Sequence, residues 1–133
     1  MIVVDTNIIG YLYLSSNRSE QAEKALLIDS RWAAPILWRS EFRNVLAMYM
    51  RRGILTIEDA SQIIGDAMQL MQGGEYEVVS IQVLQLVSES ACSAYDCEFV
   101  ALARDLKVPL VTVDKQILKQ FPKEAISLDE FVG

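Results

Sequence analysis

The sequence predicts an α/β fold: a three-layer α/β/α sandwich with a central, mostly parallel sheet of four to five strands, formed by a single domain over residues 1–133. Three observations carry this expectation. Ile2–Val4 and residues 110–113 are apolar on consecutive positions, as strands covered on both faces must be. Longer segments of helical spacing separate the short apolar runs, and strands alternating with helices are what parallel crossovers need. The 133 residues, 52% of them hydrophobic and 23% charged, suffice for the core of one domain and fall outside the disordered class.

The elements follow in order. Ile2–Val4 is the first strand; Asp5-Thr6-Asn7 ends it, and a brief helical pattern runs to about Leu14. Ser19 is expected to cap a helix reaching about Asp29, with Ala22, Ala25 and Leu26 on related turns. Trp32–Pro35 reads as the second strand, and the helix from about Trp38 to Arg52 stops at Gly53. Thr56 and Asp59 have capping-box spacing before a helix that ends at Gly73-Gly74. Residues 76–79 form a strand, Ser80 caps the next helix, and Asp96 opens another to about Lys107. Residues 110–113 are a strand, and residues 125–128 a last edge strand. No repeat, low-complexity tract or long linker divides the chain.

Composition removes several chemistries. With no histidine, a Ser-His-Asp or Cys-His nucleophile and every histidine-containing zinc site are excluded, and two cysteines cannot make a four-ligand zinc site. Cys92 and Cys97 read as small, buried, reduced residues, which suits a cytoplasmic protein. The start, Met1-Ile2-Val3-Val4-Asp5, lacks the basic region of a signal peptide, and no apolar run approaches the roughly 18 residues needed to cross a bilayer. Lys+Arg 12 against Asp+Glu 18, a net charge of -6, argues against a broad basic surface while leaving room for a local basic strip.

In a parallel α/β sheet, strand C-termini and helix N-termini share one edge, where ligands bind. Asp5 and Asp114 each directly follow a strand. Asp96 begins the helix leading into the 110–113 strand, on the face of Phe99, Val100 and Ala103. Glu41 lies in the first turns of its helix on the face of Trp38, Val45 and Met48, where an acid needs something positive. Each acid taken singly has a plain structural use: Asp96 as an N-cap, Glu41 as a first-turn dipole partner, Asp5 and Asp114 as Asx-turn residues. Four acids from four segments on one edge, with little there to neutralise them, repel unless protonated or bridged by a cation. Oxygen-only ligation suits Mg²⁺ or Mn²⁺.

At these residues the chain resembles the PIN-domain nucleases, closest to the VapC-type toxins of prokaryotic toxin–antitoxin pairs. The matching segments are Val3-Val4-Asp5-Thr6-Asn7-Ile8-Ile9, Ser40-Glu41-Phe42-Arg43-Asn44-Val45-Leu46, Tyr95-Asp96-Cys97-Glu98-Phe99-Val100-Ala101-Leu102-Ala103 and Pro109-Leu110-Val111-Thr112-Val113-Asp114, in the family's order. The resemblance implies that the Asp5 and Asp114 strands are neighbours, and that Asp5, Glu41, Asp96 and Asp114 form the acidic catalytic and metal site. It makes Thr6 and Thr112 supporting hydroxyls. Glu98, two residues after Asp96, is left outside because its helical offset points it elsewhere.

The expected activity is metal-dependent hydrolysis of RNA phosphodiester bonds, with one or two Mg²⁺ or Mn²⁺ ions and products ending in 5′-phosphate and 3′-hydroxyl. The missing histidines favour this over an imidazole acid–base ribonuclease. Arg39 and Arg43, i,i+4 about Glu41, are the candidate phosphate contacts, with Arg51, Arg52 and Lys115 behind them, although a solvated face of ordinary ion pairs explains them as readily. Expected partners are the RNA substrate, an antitoxin protein and a second copy in a homodimer, with no membrane. Tyr11, Leu12, Tyr13, Leu14, Met48, Tyr49 and Met50 serve either such contacts or the core. The alternatives are an inactive PIN-like binding module and a metal-dependent phosphatase or phospho-acceptor domain. Two Mg²⁺ ions would move the net charge from -6 to -2, so an acidic chain and an RNA substrate are compatible.

Overall fold

A computed structural model describes all residues from Met1 to Gly133. Five strands, β1 (Ile2–Val4), β2 (Trp32–Pro35), β3 (Glu75–Tyr76), β4 (Leu110–Thr112) and β5 (Ala125–Ser127), alternate with eight helices. These are α1 (Thr6–Tyr13), α2 (Ser19–Ile28), α3 (Trp38–Arg51), α4 (Ile57–Leu70), α5 (Ser80–Ser88), α6 (Ala94–Leu106), α7 (Lys115–Gln120) and α8 (Leu128–Val132). The sheet runs β3-β2-β1-β4-β5 and every pairing is parallel. β1 is therefore central, with Val4 opposite Val111 of β4 and Val3 opposite Ala33 of β2. No helix is long and apolar enough to cross a membrane.

The apolar strands behave as their patterning demands. Every residue of β1, β2 and β4 is buried, because helices cover both faces. α6 lies against β1, β2 and β4, placing Phe99, Val100 and Ala103 in the core, while α1 packs on α2 and α3, and α3 on α4. Pro35, which cannot donate to a ladder, occupies the last position of β2. Gly74 enters β3 so close to β2 that a Cβ there would stand 2.1 Å from the Trp32 carbonyl oxygen, and its own carbonyl accepts from the Ala34 amide at 2.9 Å.

Several local expectations need correction. Ser19 and Ser80 are first helical residues preceded by Arg18 and Val79, and neither helix has a side-chain cap. The Ser19 hydroxyl instead accepts from the Ser16 amide, closing the loop before α2. β3 stops at Tyr76 because only Glu75 and Tyr76 find partners on β2. α4 ends at Leu70, and Gly73 reverses the chain three residues later at φ 81°. Thr56 and Asp59 do form the reciprocal capping box. α7 and α8 are short helices that the hydrophobic pattern did not reveal. Asp114 caps the first and Ser127 the second.

Candidate active site

The strand order reverses between β1 and β4, since the chain moves outward from β1 to β2 and β3 and then crosses back to β4 on the other side. Such a switch point leaves a crevice at the strand C-termini. Asp5 follows β1 there and Asp114 closely follows β4, and the Asp5 amide donates to the Val111 carbonyl at 3.1 Å across the pair. Glu41 comes from the first turns of α3 and Asp96 from the first turn of α6.

Two buried hydroxyls tie these acids to the sheet. Thr112 donates to Asp5 Oδ2 at 2.8 Å and accepts from the Asp114 amide at 3.0 Å. Thr6 donates to Glu41 Oε1 at 2.6 Å, and its amide reaches Asp5 Oδ1 at 2.8 Å. Both threonines are at most 5% exposed, so each polar contact is made away from water. Asp114 Oδ1 accepts from the Gln116 and Ile117 amides at 2.8 and 3.1 Å, which starts α7. Asp96 is not the cap of its helix. Ser93 takes that position and its hydroxyl accepts from the Asp96 amide at 3.1 Å, so Asp96 stands one turn inside. The spacing Ser93-Ala94-Tyr95-Asp96 carries the same start signature as Thr56 and Asp59 and was legible in principle.

The electrostatics follow from burial and crowding. Burial pushes the Asp5 carboxyl from 3.8 up to about 6 against the opposing pull of the Thr112 hydroxyl; the Glu41 charge raises it further, the Thr6 amide lowers it, and Asp96 adds a last increment. Glu41 is raised by burial and by Asp96, with Thr6 opposing. Asp96 is raised by burial and by Asp114, with Ser93 opposing. Glu98 is also raised, by burial first and then by the Glu41 charge, so an acid that its helical offset set aside stands close enough to feel the site. The ion pairs of the chain join the Met1 amine to Asp29, Arg18 to Asp129, Arg39 to Glu75 and Arg104 to Glu124. Each of the four central acids is without a basic partner.

The two arginines separate. Arg39 grips Glu75 in a fork, Nε to Oε2 and Nη2 to Oε1 at 2.6 Å each, and Glu75 also accepts from Trp38 Nε1 at 2.8 Å. The expectation that Arg39 contacts phosphate is therefore corrected: its guanidinium is committed to joining α3 and β3. Arg43 is exposed, bonded only to the Arg39 carbonyl and the Ser40 hydroxyl at 3.2 Å, and its charge has no carboxylate partner.

No three acids converge as a ready cation cage. Asp5 is hydrogen-bonded to Thr6 and Thr112, Glu41 to Thr6, and Asp114 to the α7 amides. The donors nevertheless suit a hard divalent cation in kind and charge, being carboxylate oxygens, with the proton affinity of Asp5, Glu41 and Asp96 raised by burial and by neighbouring acids. Each keeps lone pairs beyond those its protein partners use.

The family description "PIN domain" matches residues 2–124. Ribonuclease VapC3 of Pyrobaculum aerophilum is 31% identical over 124 residues, covering 91% of this chain and 95% of that protein. Among solved structures, PAE2754 from Pyrobaculum aerophilum superposes with a TM-score of 0.78 at 21% identity, covering 98% of this chain and 92% of that one. FitAcB from Neisseria gonorrhoeae gives 0.72 at 17% identity, covering 96% and 98%. A toxin–antitoxin complex from Klebsiella pneumoniae gives 0.70 at 15% identity, also covering 96% and 98%. At these identities the solved structures speak for the fold.

Proposed function

The chain belongs to the PIN-domain family, and from that premise we propose that it is an endoribonuclease whose hydrolysis of RNA phosphodiester bonds requires Mg²⁺ or Mn²⁺. The observation that carries the reading is that Asp5, Glu41, Asp96 and Asp114, on elements that end or begin beside the β1–β4 switch point, are linked by the repulsion of their charges, none with a basic partner and Asp5 and Glu41 each held by a buried threonine. These four side chains would hold one or two ions. A cation held by them supplies Lewis-acid polarisation of the phosphate and an acidified water. Thr112 and Thr6 hold Asp5 and Glu41 by hydrogen bonds and lower the cost of their ionisation. Because protons compete for the Asp5 carboxyl up to about pH 6, cation uptake is expected to strengthen as pH rises through that value. Arg43 remains as a free cation for the substrate backbone.

The relative named a ribonuclease supports RNA as the substrate, and the solved toxin–antitoxin complex supports a protein antitoxin as a partner. A second copy of the chain is the remaining partner of this reading. The apolar residues Val79, Ile81 and Leu84, each more than half exposed on and beside α5, are a surface that such assembly would cover. Light scattering of the purified protein tests the dimer. The activity is tested on single-stranded RNA with Mg²⁺ or Mn²⁺, then with EDTA and with Asp5→Asn or Asp96→Asn. Cleavage is expected to stop in each arm, and cleavage that survives EDTA and both substitutions refutes the site.

A further inference from the structure

A cavity of about 120 Å³ opens between α1 and α3 immediately beside the acids. Thr6 belongs to both features: it lines the cavity and its hydroxyl holds Glu41. Tyr11, Tyr49 and Val45 supply half-buried apolar walls, Gly10 supplies a flat one, and exposed Asn7 stands at the rim. Two properties define the occupant. No lining side chain is charged, which disfavours a phosphate, a carboxylate or a guanidinium as guest. The Asn7 amide, with donors and an acceptor, makes no hydrogen bond within the chain and is free to pair with a planar polar edge. An enclosed apolar cavity of about 150 Å³ accepts benzene; at about 120 Å³ this one is smaller, so a single six-membered ring enters it only in part, its polar edge left at the open mouth beside Asn7, and a fused bicycle is larger still.

We propose that the cavity between α1 and α3 is a subsite for one unstacked pyrimidine base of the RNA, adjoining the phosphodiester at the acids, with Tyr11 and Tyr49 as stacking surfaces and Asn7 reading the base edge. Single-stranded RNA is recognised by such splayed bases, stacked on aromatic rings and paired along their edges. The inference rests on the nuclease reading above and adds to it a source of sequence preference.

Gly10 provides the test. A Cβ at Gly10 would lie 3.7 Å from the Phe42 ring, an ordinary contact, and the residue is helical, so Gly10→Ala narrows the cavity without straining the backbone. Cut sites are sequenced from an RNA of randomised sequence treated with the wild type, Gly10→Ala and Asn7→Ala, with thermal unfolding run beside. The wild type is expected to favour a pyrimidine over a purine at one fixed position next to the cut. Both variants are expected to lose most of that preference, with Gly10→Ala melting no lower than the wild type. A wild type that cuts without preference, or variants that keep it, overturns the subsite while leaving the nuclease. A wild type that does not cut overturns the nuclease reading itself. If Gly10→Ala weakens binding of a protein antitoxin and keeps the cut-site preference, the cavity serves a protein side chain and the RNA assignment falls.

Discussion

Replacing Asp5 by Asn should stabilise the metal-free protein at neutral pH while abolishing cleavage. Raising the Asp5 carboxyl from 3.8 to about 6 makes its ionisation harder in the fold than in the unfolded chain, and at about 1.4 kcal/mol per tenfold of proton affinity the cost is about 3 kcal/mol. The sign follows from proton linkage: the folded state binds the proton more tightly, so stability is highest below the unfolded value near 4 and is lost as pH climbs to about 6. Asn escapes that loss, but it has one carbonyl oxygen where Asp5 presents two, to the Thr6 amide and the Thr112 hydroxyl. The forfeited hydrogen bond costs about 1 kcal/mol, leaving a net gain of about 2 kcal/mol at pH 7. For a chain of this length that is roughly a 6–8 °C rise in Tm. The assay is thermal unfolding by circular dichroism in EDTA from pH 4 to pH 8. At pH 4 the variant should be no more stable than the wild type, and the gap should open across the window. A gap that does not change with pH, or an Asn variant that melts lower at pH 7, refutes the argument. Added Mg²⁺ should raise the Tm of the wild type more than that of the variant.

Thr112→Val keeps the shape of a wholly buried residue but strands the Asp114 amide and removes the donor to Asp5. It should cost about 1–3 kcal/mol in unfolding experiments and move the acid limb of the pH–rate profile upward, with Thr112→Ser restoring both. An acid limb that stays in place would show that Thr112 does not govern Asp5. Arg39→Gln should lower the Tm without changing the salt dependence of RNA binding, because its guanidinium serves Glu75. Arg43→Gln should leave the Tm and reduce the salt slope by about one ion; the reverse pattern would overturn both assignments. Gly74→Ala drives a Cβ into the Trp32 carbonyl and should cost about 3 kcal/mol or more, measured by denaturant unfolding. A variant of wild-type stability would contradict the close approach of β2 and β3.

The consecutive apolar positions of β1 and β4, the Thr56–Asp59 start of α4 and the Gly53 stop of α3 were all legible in the sequence. Each depends on contacts within a few residues or on burial of a whole segment. The four acids were legible as a set because three stand at the starts of elements where acids cap, and Glu41 because it interrupts an apolar face. The capping of α6 by Ser93, three residues before Asp96, is equally local. The partners of each acid were another matter. Thr6 meets Glu41 across 35 residues, Thr112 meets Asp5 across 107, and Arg39 finds Glu75 across 36. Glu98 feels Glu41 only because helices from distant parts of the chain share one edge. Which segments form β1, β2, β4 and the helices α1 to α6, and which acids reach their ends, follow from backbone propensity and hydrophobic period, which act over a few residues; the short α7 and α8 leave no such pattern. That β1 and β4 lie side by side, that the acids come within electrostatic reach of one another, and that Arg39 is paired while Arg43 is free are products of the tertiary fold, because they depend on which packed surfaces bring remote side chains together.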